Sequence, residues 1–574
     1  MLKGVCNFRS NISSNIEKGT IFSDTTVSIS GKGFATKING IQYAISLDGE
    51  IYNKIEIERD LNLKGFKPSS IEEILILSYY VYGKDFIKKL QGPFAIALWD
   101  GTLKRLLLAR DHLGIMPLFY TIGDSLNFAL HIDPLIQQEN EVDIMCLKEL
   151  FALGPARTPG KTFFKNINEI LPGNIATYSN EGISFECYWS LAAVPHVDNF
   201  EDTISTIKTI LTNSIITQTD ENVCSLLSGG VDSTIVTAIA SEFMQKKYGK
   251  KLSTYSFDYV DNNKHFKESS FQPQEDRPFV EKAVSALNTQ HTFLELDTSD
   301  LVSYLYTSVN AKGMPGMGDI DSSMLAFLRK IKGNHSAFLT GEGADEIFVG
   351  YPWFFNTHLN NDELFPWSKN VYGRTFFLND SLKNMLNIEQ YIRSKFKESL
   401  ANTPLLQDED EDEKKLKQVI YVNSLWFMST LIDRTQRAAY FLDMQPRLPY
   451  ASPSLAQYLY NVPSIIKIKD NIPKFALRHA YSDIIPKEIS NRKKSPFPKT
   501  YNPSYSNALV AILNEEVLNK NAPLYPFIKE EEVKQMVTTH DQPWFGQLMK
   551  GPQQMAYLIQ INYWLKKYNI KIKL

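Results

Sequence analysis

The segment Ser228-Gly229-Gly230-Val231-Asp232-Ser233 lies between an apolar, strand-like run (Val223-Cys224-Ser225-Leu226-Leu227) and residues 234–240, whose apolar spacing reads as a buried helix. A turn from strand to helix leaves the first N–H groups of the helix unpaired, and the helix dipole adds partial positive charge there. Phosphate fits that position. Gly229 and Gly230 let the backbone approach phosphate oxygens, and Ser228 and Ser233 supply hydroxyl donors. Asp232 would repel a phosphate unless a cation bridged the two, so its carboxylate is a candidate Mg²⁺ ligand. The spacing is not the GxxxxGK[ST] of γ-phosphate transfer. The plain alternative is a glycine turn before a helix.

A second strand-like run, 337–340, enters Gly341-Glu342-Gly343-Ala344-Asp345-Glu346. In a parallel sheet such turns converge at the carboxyl ends of the strands, which would bring Asp345 beside Asp232 as a second Mg²⁺ ligand. Glu346 reads as a helix-capping acid. Ser253-Thr254-Tyr255-Ser256-Phe257 ends a strand where an adenine could stack or hydrogen-bond, and Arg492-Lys493-Lys494 places cations in a loop. A lysine there could neutralise charge that develops on phosphate.

The elements needed to position these residues are visible at low resolution. Up to about Trp189, short alternating runs (41–46, 94–99, 105–109) broken by turn residues read as β-rich. Loop-like residues 194–199 follow, and helical spacing begins at Glu201. Beyond them, strand-like runs at 224–227, 252–257, 292–296 and 337–340 alternate with helical segments, the pattern of a parallel α/β sheet. After Trp367 the chain reads as mostly helical. The acidic run 408–413 reads as a solvated loop or helix start.

Composition narrows the function. The 574 residues suffice for two or three domains with real cores, and a net charge of −3 offers no basic field for nucleic acid or anionic lipid. Cys6, Cys146, Cys187 and Cys224 form no CxxC pair, which points away from zinc sites and disulfides and toward a reducing cytoplasm. No run approaches the roughly 20 apolar residues of a membrane span. A cytoplasmic enzyme acting on a small-molecule or peptide substrate is the expectation.

Together these segments resemble the glutamine-dependent asparagine synthetase family along nearly the whole chain. Further stretches that carry the resemblance are Asp48-Gly49-Glu50-Ile51-Tyr52-Asn53, residues 92–100, residues 109–120 and Leu171-Pro172-Gly173. It implies an N-terminal αββα sandwich of the Ntn type, a type-2 glutamine amidotransferase-like domain over 1–192. An ATP-dependent synthetase domain over 200–574 would follow, built on a parallel sheet of the pyrophosphate-loop kind with a helical C-terminal part. It also implies ATP at Ser228, Gly229, Gly230, Asp232, Ser233, Phe257 and Gly341, Mg²⁺ at Asp232 and Asp345, and catalytic roles for Glu342 and Lys494. Arg437 and Arg447 would belong to an acceptor pocket. A substrate carboxylate would be adenylated, with AMP and pyrophosphate released, and ammonia or an amine would attack it.

The N-terminal half departs from that family. Its nucleophile is a cysteine at the mature N-terminus, whereas Cys6 could serve only after loss of five residues and reads more simply as a buried strand cysteine. The family's arginine segments have no counterpart before Leu47, where Arg9 is the one arginine. Asp48 replaces an asparagine that donates to an oxyanion, and Ile71 an aspartate that anchors the glutamine amine. Residues 436–452 also diverge, with Gln445 and Ser452 for a glutamate and an aspartate. Three readings follow: an amide ligase with a disabled glutaminase, an ordinary asparagine synthetase processed to Cys6, or a non-catalytic nucleotide-binding scaffold. A homodimer is left open.

Overall fold

The computed structural model describes residues 1–8, 19–268, 272–355, 363–539, 543–546 and 549–574; Arg9 lies outside them. The chain forms two compact units, 1–141 with 159–190, and 142–158 with 191–574. The main division falls between Ser190 and Leu191, but a single cut at 192–200 does not anticipate that 142–158 groups with the second unit. The reason is local bonding. The Leu150 carbonyl accepts from the Tyr557 hydroxyl at 2.8 Å and the Gly154 carbonyl from Arg374 Nη1 at 3.0 Å.

The second unit is built on five parallel strands in the order Gln290–Leu296, Ser253–Tyr259, Val223–Leu226, Ala337–Leu339, Gln445–Arg447. Four of these match the strand-like runs of the sequence. The fifth is new: Gln445-Pro446-Arg447 is too short to show a period, and proline is tolerated because the strand is an edge. Chain order reverses at Val223–Leu226, so a crevice opens between its carboxyl end and that of Ala337–Leu339. Helix Val231–Tyr248 starts from that crevice and is buried on most of its faces, which explains its continuous apolar run. Among the described residues no helix is long and apolar enough to cross a membrane.

The acidic run is partly as expected. Asp410 caps helix Glu411–Val422 by accepting from the Asp412 and Glu413 amides, so it is a helix start. It is not simply solvated, because Glu409 is buried against Lys417 and Glu413 accepts from the Ser464 amide at 2.9 Å.

The first unit stacks two six-stranded sheets, the Ntn-type arrangement. One has Lys3–Cys6 between Leu126–Ala129 and Val27–Ser30, and the other has Phe94–Asp100 between Arg105–Arg110 and Ile41–Gly49. Every residue of Phe94–Asp100 is buried. Phe94, Ile96 and Leu98 pack with Ile57, Leu61 and Ile74 from helices Lys54–Leu63 and Ile71–Tyr82. The alternate side chains point the other way, toward the first sheet, where Trp99 stacks on Phe8. Residues 109–120 owe their pattern to a buried loop. Arg110 donates to the carbonyls of Met116, Ile170 and Gly114 and pairs with Glu169 at 3.1 Å, while Asp111 accepts from the amides of Leu113, Ile115 and Met116. Replacing Arg110 with alanine removes three directed donors and the cation beside Glu169 from a buried loop, so Arg110→Ala should destabilise this unit by about 3–5 kcal/mol. Hydrogen exchange at the 111–116 amides reports it, and Arg110→Lys should fail to restore protection because one ammonium cannot replace three directed donors.

Candidate active site

The two expected turns meet. Leu227 closes the first strand by donating its amide to the Tyr255 carbonyl, and the chain then turns through Ser228, whose amide and hydroxyl both lie within 3.1 Å of Ser233 Oγ. Gly229 sits at φ 68° with the backbone of Phe279 and Val280 where a Cβ would be, so the loop needs a glycine there for packing as well as for conformation. Gly230 is the N-cap of helix Val231–Tyr248 and no side chain caps its first turn, which leaves its N–H groups to an anion. Gly341, at the second turn, lies against Asp232 and the Ser233 amide. A Cβ on it would come within 2.9 Å of both.

That close approach puts Asp232 and Asp345 side by side, Asp345 buried and Asp232 partly so. Two carboxylates out of water repel one another, and two lysines answer them. Lys474 Nζ contacts Asp232 and lies 2.6 Å from Asp345 Oδ1; Lys494 Nζ lies 2.6 Å from Asp345 Oδ2. Burial pushes the Asp345 pKa up, but the two ammonium groups outweigh it and hold the carboxyl below its ordinary value. Burial raises Asp232 in spite of Lys474. Burial opposes the charge on Lys494 too, yet Asp345 and Asp232 raise it above the usual lysine value. Lys474 is the residue sequence reasoning missed. It precedes helix Phe475–Ala480 at φ 58°, a left-handed conformation for a buried side chain, and no local pattern marks it.

A cavity of about 590 Å³ opens over this cluster, bordered by Ser228, Asp232, Ser233, Gly341, Asp345 and Lys494. Phe257 lines it as well, within strand Ser253–Tyr259, its ring 4.7 Å from Phe327 and 5.6 Å from Phe497. Glu342 reaches the cavity with one carboxylate oxygen on Arg434 and the other on the Thr435 hydroxyl. Glu346 is no surface cap: it is buried, accepts from the Tyr351 hydroxyl at 2.7 Å, and burial together with Asp345 pushes it up to about 7. Arg492 holds the loop from outside by donating to the Ser228 carbonyl at 3.1 Å and pairing with Asp276.

Two expected residues do not join the site. Arg437 turns to Asp433, which also takes Lys312 at 3.1 Å and Arg157 at 3.5 Å. Arg447 is committed to the edge strand and faces Asp220 at 3.3 Å. Neither lines the cavity, whereas Arg434, one helical turn before Arg437, does. The spacing of 434 and 437 put both on neighbouring faces, and only the tertiary partners separate them.

Comparison with known proteins agrees with this layout. The asparagine synthase family model matches residues 206–566, and the glutamine amidotransferase domain model matches 36–189. Asparagine synthetase (glutamine-hydrolyzing) 3 of Bacillus subtilis is 39% identical over 550 residues, covering 94% of this chain and 89% of that protein. Asparagine synthetase (glutamine-hydrolyzing) 1 of the same organism is 23% identical over 87% of this chain and 82% of its own length. The amidase chyE of Penicillium rubens is 29% identical over 57% of this chain and 50% of its own. With a family model spanning more than half its length and a relative this similar end to end, the chain belongs to the asparagine synthase family of ATP-dependent ligases that form carbon–nitrogen bonds.

Proposed function

We propose that this protein adenylates a substrate carboxylate and passes the acyl group to ammonia or to an amine, without hydrolysing glutamine. The observation that carries the reading is the Asp232–Lys474–Asp345–Lys494 cluster at an uncapped helix N-terminus. The carboxylate attacks the α-phosphorus of ATP, pyrophosphate departs, and nitrogen then attacks the acyl carbon and displaces AMP. The first-turn amides and the hydroxyls of Ser228 and Ser233 hold the phosphates, and the two lysines neutralise charge that grows on the departing pyrophosphate. Phe257 flanks the base, and Glu342, fixed by Arg434 and Thr435, faces the attacking nitrogen.

Mg²⁺ fits the same centre. Asp232 Oδ1 is buried without a hydrogen-bond partner among the described residues, and two carboxylates are the hard donors this ion takes when phosphate oxygens complete its shell. Bound there, it would screen the pyrophosphate.

The nitrogen source is argued from the first unit. Asp48 Oδ2, at the position of an oxyanion donor, accepts from the Leu2 amide at 2.9 Å. Cys6 is fully buried with its thiol pushed up to about 12 by burial and Asp24. Processing at Cys6 would also remove Lys3, Gly4 and Val5, which pair on both sides within their sheet. The names of the Bacillus relatives favour a second reading, an ordinary asparagine synthetase using glutamine, and the burial of Cys6 argues against it. A bare scaffold does not need four paired charges, two of them buried, in balance.

Three measurements test the proposal. Lys474→Ala and Lys494→Ala should each lower kcat for pyrophosphate release by about 10²–10³, and Asp232→Asn should abolish it. Activity within about twofold of the parent in all three would remove the cluster from the chemistry. Cys6→Ala should leave ammonia-driven turnover unchanged, and glutamine should not replace ammonia. A glutamine-driven rate that Cys6→Ala destroys would reinstate the glutaminase.

A further inference from the structure

The cavity has a second aromatic wall besides the rings at Phe257. It starts at Tyr351, whose ring lies 5.3 Å from Lys494 Nζ and whose hydroxyl is held by Glu346. Phe427 stands edge-on to Tyr351 at 5.4 Å between centroids, and Phe545 extends the wall 5.6 Å beyond it. Leu431, four residues after Phe427, lines the same cavity. From behind, Trp353 and Trp367 pack on Phe427 at 5.5 and 5.4 Å, so the wall is a fixed surface rather than loose side chains.

The charges beside this wall already have partners. Both Glu342 oxygens go to Arg434 and Thr435, Lys474 bridges the two aspartates, and Lys494 holds Asp345. A substrate carrying a second carboxylate or an ammonium group beyond its reacting carboxyl would bury that charge against rings, beside Arg434 and Lys494, which are already engaged by Glu342 and Asp345. An apolar body gains there instead.

Resting on the adenylation reading, we propose that the acyl substrate is a monocarboxylate with an aromatic or aliphatic body, seated on Tyr351, Phe427 and Leu431 with its carboxylate toward Lys494. In a test reaction its oxygen bonds to the α-phosphorus as pyrophosphate leaves. Hydroxylamine nitrogen then bonds to the acyl carbon as AMP leaves, and the nitrogen proton goes to solvent.

The full chain with ATP, Mg²⁺ and hydroxylamine is assayed for pyrophosphate and hydroxamate with 3-phenylpropionate, hexanoate, aspartate and glutamate. The first two should exceed aspartate in kcat/KM by at least about tenfold. Leu431→Arg, which adds a cation to the wall, should shift that ratio toward aspartate by about tenfold or more while the KM for ATP stays within about twofold. Phe427→Ala should raise the KM for 3-phenylpropionate alone. Aspartate equal to or better than the apolar acids overturns the proposal, as does a ratio that Leu431→Arg does not move. Pyrophosphate release with aspartate alone spares the adenylation reading, whereas no release with any acid, while ATP still binds, removes both.

Discussion

Two carboxylates held side by side and largely out of water set the terms for the synthetase unit. Asp232 and Asp345 reach one another because two strand-to-helix turns pass in contact at Gly341, where no side chain fits. Out of water, such a pair is tolerable only with cations in direct contact, since isolated buried charge costs several kcal/mol per ion. Lys474 and Lys494 meet that requirement from two separate segments. The left-handed backbone at Lys474 is consistent with the same demand, a local strain held by the ion pairs it permits.

Around that centre the aromatic residues divide into two groups. Phe257, Phe327 and Phe497 form one; Tyr351, Phe427 and Phe545, backed by Trp353 and Trp367, form the other. Tyr351 joins the second group to the charge cluster through Glu346 and Lys494. The polar centre is thereby enclosed by low-polarity surface, which strengthens each electrostatic contact inside it.

The first unit shows which charged residues its fold itself requires. Arg110 and Asp111 are tied to five backbone groups of the 113–116 loop and to the Ile170 carbonyl, so they are needed whatever the unit does. Asp48 accepts from the Leu2 amide, and a carboxylate serves that amide well. Family motifs built on packing survive here beside altered motifs built on catalysis.

The sequence by itself determined the local chemistry. Strand, loop and helix around Ser228 are contiguous, as are those around Gly341, so periodicity and glycine placement located the turns and four of the five strands. The parallel sheet then implied that Asp232 and Asp345 would converge. Tertiary structure alone decided the rest. Lys474 is 242 residues from Asp232 and carries no pattern that points to it. Arg434 rather than Arg437 reaches Glu342, because Asp433 takes one arginine and the cavity the other. Arg447 belongs to an edge strand too short to announce itself, and Glu346 is buried by Tyr351 rather than exposed as a cap. Ion pairs and ring contacts between distant segments depend on how elements cross, and spacing along one chain segment holds no record of that.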